Sequence, residues 1–469
     1  MPAVPRLVVS AVRGGLGKTT ISLGVIAAWR KNGFRVAPFK KGPDFIDAGW
    51  LGAAAGGNCH NLDLFLMQEE DINRSFQQYS AGMDAAMIEG NRGLFDGMDE
   101  VGTYSTARLA RMLDAPVALV VDCTKTSSTA AAVVLGCKLF DPALRLGAII
   151  LNNVASPRHE SVIRKAVEQH CGIAVVGAVP RLRHGEFPER HMGLTPYQEH
   201  PNVRGAIEAA RDVAERYLDL EALWRIAKGD REEDRHRAAP TSEAYSRVQP
   251  DRIATIGVIR DRAFQFYYPE NLEALEQQGA TIRFIDALED GELPEIDALY
   301  IGGGFPETQA AALAENRSFT QSLRNAVDSG LPVYAECGGL IYLGRTLRIK
   351  DDVFHMAGVL PADFELEKRP RAHGYTVVEV DGNNPFFEKG SLIRGHEFHY
   401  SYIKNPAELS EMVFAMRRGK GIEGGRDGIV HKNVLATYTH LHATGTPQWA
   451  AGMIKSARSY RQGRKQGSA

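Results

Sequence analysis

The sequence predicts an α/β protein with two domains, and two observations support that prediction. Apolar runs of strand length, such as RLVVSAV, AAMIEG, VALVVDC and GAIILNNV, alternate with stretches of helical spacing in the first part of the chain. Such runs are typical of a parallel sheet covered by helices on both faces. After a charged segment poor in aliphatic residues, the alternation restarts with RIATIGVI, ALYIGGG and LPVYAEC.

The alternation and its interruption divide the chain into four predicted segments. The first domain is expected over 1–200 and the second over 251–455. Between them, residues 201–250 combine a helical stretch with the run KGDREEDRHRAAPTSEAYSR, which is typical of a linker. The polar, basic end 456–469 is expected to be a mobile tail.

Composition excludes several classes of protein. The 469 residues are 44 % hydrophobic, which supports a substantial core and excludes global disorder. Lys and Arg total 55 against 57 acidic residues, and the net charge of −2 argues against a protein that coats nucleic acid or an anionic membrane. No apolar run reaches the ~18 residues of a membrane span. The N-terminus lacks a signal peptide's apolar centre and the five cysteines form no CxxC pair, so a reducing cytoplasm is expected.

A phosphate-binding loop is predicted where RGGLGKTT follows the first strand and opens a helix. Glycines let backbone N–H groups approach phosphate, the helix N-terminus favours the anion, and lysine adds a point charge. The Thr19 hydroxyl is placed to hold Mg²⁺, although Val12 replaces the first glycine of the usual GxxxxGK[ST] pattern. The residues assigned to the nucleotide are Gly14, Gly15, Gly17, Lys18, Thr19 and Thr20.

Carboxylates are needed near such a loop for Mg²⁺ binding and phosphoryl transfer. The segments KKGPDFID and MIEGNRGLFDG supply them, together with Lys40. Ligands of parallel sheets gather beyond the carboxyl ends of the strands, so Glu89 and Asp44 are expected to face the phosphates and, with Thr19, the metal. A helix cap or turn is the ordinary alternative for a single Asp. For Asn152, which follows GAIIL, a nucleotide-base contact and a turn role both stay open.

A reactive thiol is predicted at Cys337, which stands between a strand and Gly338 in LPVYAECGGLIYLG. This is the layout of a nucleophile elbow, in which a tight turn projects the thiol and the next helix favours the thiolate. Backbone N–H groups of Gly303 and Gly304, with that of Gly338, are candidates for an oxyanion hole. The base is left open among four downstream histidines, which are His396, His399, His440 and His442.

The ordered motifs resemble those of one known family along nearly the whole chain. GGLGKTT, KKGPDFID, HNLDLF, EGNRGLFDG, ILNNVA, GGGFPE, AECGGLIYL, GHEFHYS and THLH occur in the order seen in cobyrinic acid a,c-diamide synthases. The resemblance implies a dethiobiotin-synthetase-like N-terminal domain and a class I glutamine amidotransferase C-terminal domain. It also implies a ligase that uses ATP, Mg²⁺, L-glutamine and a polycarboxylate tetrapyrrole.

The resemblance also assigns roles to individual residues. Cys337 resembles the glutaminase nucleophile and His440 its base. Many class I amidotransferases have an acid two residues after that histidine, but this chain has His442 there, so the third partner stays open. Asp44, Asp47, Glu89 and Asp96 match acidic positions of the ATP- and substrate-handling motifs.

The reaction implied is the amidation of the a and c acetates of a corrinoid. Glutamine hydrolysis at Cys337 releases ammonia, and ATP converts each carboxylate into an acyl phosphate that ammonia then attacks. After the EG of the fourth motif, cobyrinate enzymes are expected to carry an apolar pair, whereas this chain has Asn91 and Arg92. Arg92 can pair with a substrate carboxylate and resembles what sirohydrochlorin-type relatives carry. Hydrogenobyrinate, sirohydrochlorin, its nickel complex and sirohaem therefore remain alternative substrates.

Two other classes of function are weighed against this one. The loop resembles that of partition-type ATPases, which have Lys in place of Arg13, but residues 252–449 would then be unexplained. A binding module with an inactive amidotransferase half is disfavoured by Cys337, His440 and GGGFPE.

No nucleic-acid or membrane partner is expected, and a homodimer stays open. Further basic residues with either a carboxylate-binding or a surface role are Arg108, Arg181, Arg183, His184 and His191.

Overall fold

The computed structural model describes residues 4–182, 195–229, 252–409 and 411–467, and these form two compact units. The first unit holds the described residues up to 229 except 65–67, and the second holds 65–67 together with the described residues from 252 onward. Arg183, His184 and His191 lie outside the described residues, as do 230–250 of the predicted linker. None of the helices in the described ranges is both long and apolar enough to cross a membrane.

The first unit is a parallel sheet of seven strands with helices on its faces, as predicted. Its strand order is β3-β2-β4-β1-β5-β6-β7, and every neighbouring pair runs parallel. Its strands are β1 (Arg6–Ala11), β2 (Val36–Lys41), β3 (His60–Leu62), β4 (Ala85–Glu89), β5 (Val117–Asp122), β6 (Leu146–Val154) and β7 (Val175–Pro180). Its helices are α1 (Lys18–Lys31), α2 (Ile46–Ala55), α3 (Glu69–Ser80), α4 (Thr106–Met112), α5 (Thr129–Phe140), α6 (Pro157–Cys171), α7 (Val203–Tyr217) and α8 (Leu220–Lys228).

Helices α7 and α8 correct the predicted linker, because they belong to the first unit. Each begins at a side-chain cap, since Asn202 and Asp219 accept hydrogen bonds from the backbone N–H groups of Gly205 and Ala222. Helix α7 packs so closely on α1 that a Cβ on Gly24 would lie 2.4 Å from the Ala210 carbonyl oxygen.

The second unit is built on a mixed sheet of ten strands, in the order β10-β8-β11-β13-β22-β21-β20-β17-β18-β23. Its strands are β8 (Ala254–Ile259), β9 (Phe264–Phe266), β10 (Ala280–Ile285), β11 (Ala298–Ile301), β12 (Gly303–Gly304), β13 (Val333–Glu336), β14 (Thr346–Ile349), β15 (Asp352–His355), β16 (Asp363–Leu366), β17 (Ala372–Val380), β18 (Leu392–His399), β19 (Ser401–Ile403), β20 (Glu411–Arg418), β21 (Arg426–His431), β22 (Val434–Thr437) and β23 (His440–Leu441). Its helices are α9 (Pro269–Gln277), α10 (Ala310–Glu315), α11 (Arg317–Asp328), α12 (Gly338–Leu343) and α13 (Gln448–Gly467).

The two halves of this sheet differ in strand direction. Strands β10, β8, β11, β13 and β22 run parallel, which fits the predicted α/β alternation. From β22 to β23 every neighbouring pair is antiparallel, which the sequence reasoning did not anticipate. The parallel half carries β13 and its following turn, while the antiparallel edge brings β18 and β23 together.

The predicted tail is also corrected, because α13 continues as a helix to Gly467. Trp449, Met453 and Ala457 are buried in the apolar cluster beside β8 and β11. Arg461 then donates a 3.0 Å hydrogen bond to the Ile253 carbonyl oxygen, which fastens the basic end of the helix to the second unit. Residues 468–469 lie outside the described range.

Candidate functional site

The phosphate loop lies between β1 and α1, as its motif predicts. Gly15 and Gly17 have φ of 71° and 83°, a left-handed conformation that favours glycine. A Cβ on Gly17 would also lie 2.7 Å from Nδ2 of Asn152, so this position needs glycine for space as well as for conformation. Helix α1 begins at Lys18, and its first N–H groups therefore face the loop, where they can bind an anion.

Two hydrogen bonds hold this loop to neighbouring segments. Lys18 Nζ donates a 2.8 Å hydrogen bond to the backbone oxygen of Arg92, and burial lowers the pKa of the Lys18 ammonium. Asn152 Nδ2 donates a 3.0 Å hydrogen bond to the carbonyl oxygen of Leu16. The amide of Asn152 thus has a structural contact in the loop, and its contact with a nucleotide base stays a prediction.

A cluster of buried charges lies beside the loop and is centred on Lys40. Strands β2 and β4 pair with Lys40 opposite Glu89, and Lys40 Nζ lies 2.7 Å from Glu89 Oε1. The same ammonium lies 2.6 Å from Asp47 Oδ2. The hydroxyl of Thr19 donates a 3.0 Å hydrogen bond to Glu89 Oε1, which joins α1 to the cluster. The structure therefore brings the predicted Thr19, Asp47 and Glu89 together.

The electrostatics of the cluster follow from burial and from these contacts. Burial acts to lower the pKa of Lys40, but the carboxylates of Asp47 and Glu89 raise it well above its usual range. Burial raises the pKa of Glu89. For Asp47, contact with Lys40 outweighs burial, and its pKa is lowered. Asp44 differs from both, because burial and the Asp47 charge raise its pKa to about 7.

One observation indicates that the predicted metal ligands can bind a divalent cation. Glu89 Oε2 is buried and has no hydrogen-bond partner among the described residues, while Thr19 lies against the other oxygen of that carboxylate. Asp44 Oδ2 lies 3.8 Å from Lys40 Nζ, which places its carboxylate in the same cluster. In the described ranges no group of three or more His, Cys, Asp or Glu side chains forms a metal cage. A set of this kind suits Mg²⁺, which keeps waters and phosphate oxygens as ligands.

The turn after β4 carries the other two predicted substrate residues. Asp96 Oδ2 accepts a 2.8 Å hydrogen bond from the Gly93 N–H, which makes Asp96 a turn-stabilising residue. A Cβ on Gly93 would lie 2.7 Å from the Val12 carbonyl oxygen, so the turn lies against the phosphate loop. Arg92 has φ of 53° and an exposed side chain beside that loop.

Cys337 occupies the predicted elbow in the second unit. It follows the last residue of β13 and precedes α12, with φ of 46° and ψ of −95°. Such a conformation is strained for a residue with a side chain and is characteristic of functional turns. The Cys337 N–H donates a 2.8 Å hydrogen bond to the Thr437 carbonyl oxygen, which continues the pairing of β13 with β22 and fixes the turn.

The thiol of Cys337 is held in its neutral form. Burial raises its pKa well above the usual range, and the charges of Glu307 and Glu336 act in the same direction. The N–H of Gly338 acts in the opposite direction but does not overcome burial. A neutral thiol is a weak nucleophile, so chemistry at this sulfur requires a base that removes its proton.

The glycine-rich loop lies against both the elbow and a histidine. A Cβ on Gly303 would lie 2.3 Å from Cε1 of His440, and one on Gly338 would lie 3.0 Å from the backbone nitrogen of Gly304. The absence of side chains at these positions therefore allows the imidazole and the turn to approach the loop. The three predicted oxyanion glycines and His440 are brought to one corner of the second unit.

His440 is distinguished from the other three candidate bases by its neighbours. It pairs with His396 across β23 and β18, and the two rings stack with centroids 4.9 Å apart. Its Nδ1 lies 3.5 Å from Glu336 Oε2, and both side chains are almost completely buried. Sequence reasoning missed Glu336, although its position directly before the candidate nucleophile was a usable signal.

The remaining two histidines have different surroundings. His399 stacks on Tyr438 with ring centroids 3.6 Å apart, and its Nδ1 lies 2.8 Å from the Ser401 carbonyl oxygen. His442 Nε2 lies 3.7 Å from Glu270 Oε2. Neither histidine has the position of His440 against the glycine loop.

Comparison with protein-family models divides the chain in the same way. Residues 7–194 match the CobQ/CobB/MinD/ParA nucleotide binding domain. Residues 255–448 match the CobB/CobQ-like glutamine amidotransferase domain. The predicted fold class, a P-loop domain followed by a glutamine amidotransferase domain, is confirmed.

Curated relatives match nearly the full chain. A protein of Magnetococcus marinus named cobyrinate a,c-diamide synthase is 40 % identical over 447 residues, covering 95 % of this chain and 96 % of that protein. A protein of the same name from Archaeoglobus fulgidus is 38 % identical, covering 97 % and 98 %. With both domains present in order, the chain belongs to the cobyrinate a,c-diamide synthase family of glutamine-hydrolysing ligases.

Proposed function

We propose that the protein amidates the a and c acetate carboxylates of cobyrinate in cobalamin biosynthesis, with ammonia from glutamine and with activation by ATP. One observation supports this most directly. A phosphate loop with a buried charge cluster occurs in the same chain as a strained cysteine turn whose neighbouring glycine loop contacts a histidine. The first can activate a carboxylate, and the second can release the nitrogen that replaces its oxygen. The names of the relatives supply the substrate.

Glutamine hydrolysis is assigned to the second unit. His440 takes the proton of Cys337, and the sulfur then attacks the side-chain carboxamide carbon of glutamine. The backbone N–H groups of Gly303, Gly304 and Gly338 face the oxygen that becomes negative at this step. The proton held by His440 passes to the departing nitrogen, which leaves as ammonia. Water then cleaves the thioester to glutamate and restores the thiol.

Carboxylate activation is assigned to the first unit. An acetate oxygen of the macrocycle attacks the γ-phosphorus of ATP, ADP departs, and the resulting acyl phosphate loses phosphate when ammonia attacks its carbonyl carbon. Lys18 and the N–H groups of the glycine loop bind the phosphates. Thr19, Glu89 and Asp44 would hold Mg²⁺, which neutralises phosphate charge. Lys40 favours the ionised forms of Glu89 and Asp47 and holds both side chains by its contacts.

Substrate binding is assigned to residues at the same end of the first sheet. Asp47 and Asp96 shape the walls of the site through their contacts with Lys40 and Gly93. Arg92 offers an exposed guanidinium next to the loop, where it can pair with a carboxylate of the macrocycle. A sirohydrochlorin-type ring is the second candidate substrate, because Asn91 and Arg92 stand where the family pattern leads us to expect an apolar pair.

A mass-spectrometric assay tests this function. Purified protein is incubated with ATP and glutamine and with cobyrinate, hydrogenobyrinate, sirohydrochlorin or its nickel complex in turn. We expect two successive one-dalton decreases for the true substrate, because each amidation replaces OH by NH₂. Cys337→Ser should lose this activity with glutamine and keep it with a high concentration of ammonia. Glutamine hydrolysis without nucleotide consumption on any of these macrocycles would contradict the proposal.

A further inference from the structure

We infer that Glu336 is a positioning residue for His440 and is the third member of the glutaminase site. The inference rests on the proposed role of Cys337 and His440 in glutamine hydrolysis. It assigns the acid to the residue directly before the nucleophile, on β13, and not to the segment that carries the histidine.

The contact between the two groups is close and buried. Glu336 Oε2 lies 3.5 Å from His440 Nδ1, and their side chains are 1 % and 3 % exposed. In such surroundings water cannot screen a carboxylate, so its charge acts strongly on an imidazole at this distance. The contact is made by Nδ1, which leaves the other ring nitrogen, Nε2, to exchange protons with Cys337 and the substrate.

Backbone pairing holds the carboxylate in this position. Glu336 pairs with Thr437 across β13 and β22, three residues before His440. Its Oε1 accepts a 3.2 Å hydrogen bond from the Leu441 N–H, the residue directly after His440. One oxygen is therefore fixed to the strand that carries the histidine, and the other faces the ring.

A buried hydroxyl fixes the second oxygen as well. Tyr300 donates a 3.1 Å hydrogen bond to Glu336 Oε2, and its side chain is fully buried. Burial and the neighbouring Glu336 charge raise the pKa of Tyr300 well above its usual range, so the phenol remains a donor. Tyr300 and the Leu441 N–H together define the orientation in which the carboxylate faces His440.

This geometry performs a definite task in the reaction. When the thiol proton moves to His440, the imidazole gains a positive charge in a buried site, which is costly without a negative partner. The Glu336 carboxylate lowers that cost, and its negative charge 3.5 Å from Nδ1 favours the tautomer that carries its proton there, so that Nε2 can act as base. Glu336 takes up no proton in this reaction, because the thiol proton moves to His440 and then leaves with ammonia.

The residue two positions after His440 does not fill this role. His442 stands there, and its Nε2 lies 3.7 Å from Glu270 Oε2. Among the described residues there are thus three buried Glu–His pairs of similar spacing, the third being Glu397 with His399 at 3.8 Å. Of the three, only the Glu336 pair contains the histidine beside the glycine loop. Glu270→Gln is a matched control for Glu336→Gln, because the side chains of Glu270 and Glu336 are 3 % and 1 % exposed.

Steady-state glutaminase kinetics test the inference. For Glu336→Gln we expect kcat to fall by about 10²- to 10⁴-fold with KM for glutamine changed less than about threefold, since the inference makes this carboxylate act through His440 and not on the substrate. Glu336→Asp should restore part of kcat, because the charge returns at a longer distance. Glu270→Gln should retain kcat within about threefold. Ammonia-dependent amidation by Glu336→Gln should match the wild type, which shows that the variant is folded.

Four results would overturn the inference. The first two are a Glu336→Gln variant with wild-type kcat and a Glu336→Gln variant in which only KM for glutamine changes. The third is a Glu336→Asp variant whose kcat is no higher than that of Glu336→Gln. The fourth is a Glu270→Gln variant whose kcat falls as far as that of Glu336→Gln. If Glu336→Gln also loses ammonia-dependent amidation, its folding is in question, and the variant Tyr300→Phe is measured in its place. It removes one anchor of the carboxylate, so an unchanged kcat refutes the inference and a fall of about tenfold at constant KM supports it. A wild-type protein that does not hydrolyse glutamine would refute the proposed function itself.

Discussion

Lys40 Nζ lies 2.7 Å from Glu89 Oε1 on the neighbouring strand, and their side chains are 1 % and 0 % exposed. This pair joins β2 to β4 directly beside the phosphate loop, and Thr19 reaches the same carboxylate oxygen. This buried ammonium thus favours the ionised form of the carboxylates that we assign to the metal and the substrate.

Removal of that ammonium should destabilise the first unit. Lys40→Met leaves Glu89 and Asp47 without their buried cation, and breaking such a pair from one side costs about 3–5 kcal/mol. The double variant Lys40→Met/Glu89→Gln should recover part of this loss. Lys31→Met, which removes an exposed pair with Glu215, should cost at most about 1 kcal/mol. Urea unfolding measures the free energy of unfolding of all three variants. A double variant no more stable than Lys40→Met would contradict the expectation.

Loss of the Thr19 hydroxyl should raise the requirement for Mg²⁺. Thr19→Ala removes both the proposed metal ligand and the hydrogen bond to Glu89, whereas Thr19→Ser keeps both. We expect the Mg²⁺ concentration for half-maximal ATP-dependent amidation to rise by about tenfold or more in Thr19→Ala and to stay near the wild-type value in Thr19→Ser. Identical Mg²⁺ titrations for the two variants would argue against Thr19 as a ligand.

Asp44 should make stability depend on pH. Its pKa is raised from 3.8 to about 7 in the folded protein, so between these values the folded state binds more protons than the unfolded state. The free energy of unfolding should therefore fall as pH rises from about 4 to about 7, by up to about 1.4 kcal/mol per pH unit. Asp44→Asn should lack this contribution. Denaturant titrations without nucleotide or Mg²⁺ test this, and parallel pH profiles for the two proteins would refute it.

A methyl group at Gly303 should impair glutamine use selectively. The Cβ of Gly303→Ala would lie 2.3 Å from His440 Cε1, so the imidazole must move. A displacement near 1 Å at a catalytic group can cost about 10²-fold in rate, and we expect a loss of at least that size with glutamine but little loss with ammonia. Gly291→Ala is the control, because its Cβ would meet no atom within 4 Å. Full glutaminase activity in Gly303→Ala would disprove the assigned position of His440.

The parts of the site that the sequence predicts are those built from contiguous residues. The glycine loop before α1 and the turn at Cys337 each require a strand, a tight turn and a helix N-terminus within a few residues, so both are visible as local patterns. The contacts of Lys40 with Glu89 and of Glu336 with His440 depend on which strands pair and in which register. Local sequence does not specify that register, so these partners emerge only from the fold.

The two corrected segments share a physical cause. Helix α7 packs through small residues such as Ala206, Ala210 and Ala214, which carry little hydrophobic signal and lie among Arg and Glu residues on the outer face. The end of α13 is similarly basic, but Arg461 uses its side chain to bind a backbone oxygen of the second unit. The sequence reasoning grouped α7 and α8 with the charged run that follows them, and it assigned the basic end of the chain to a tail. Composition does not reveal how closely the helices pack on the rest of each unit.

The single peptide bond between Glu336 and Cys337 has a mechanical consequence. Fluctuations of β13 carry the carboxylate and the sulfur together, whereas the imidazole moves with a different strand. The approach of the sulfur to the imidazole therefore depends on how the segment of Cys337 is held against the segment of His440, and the Leu441 N–H joins these two segments through Glu336 Oε1.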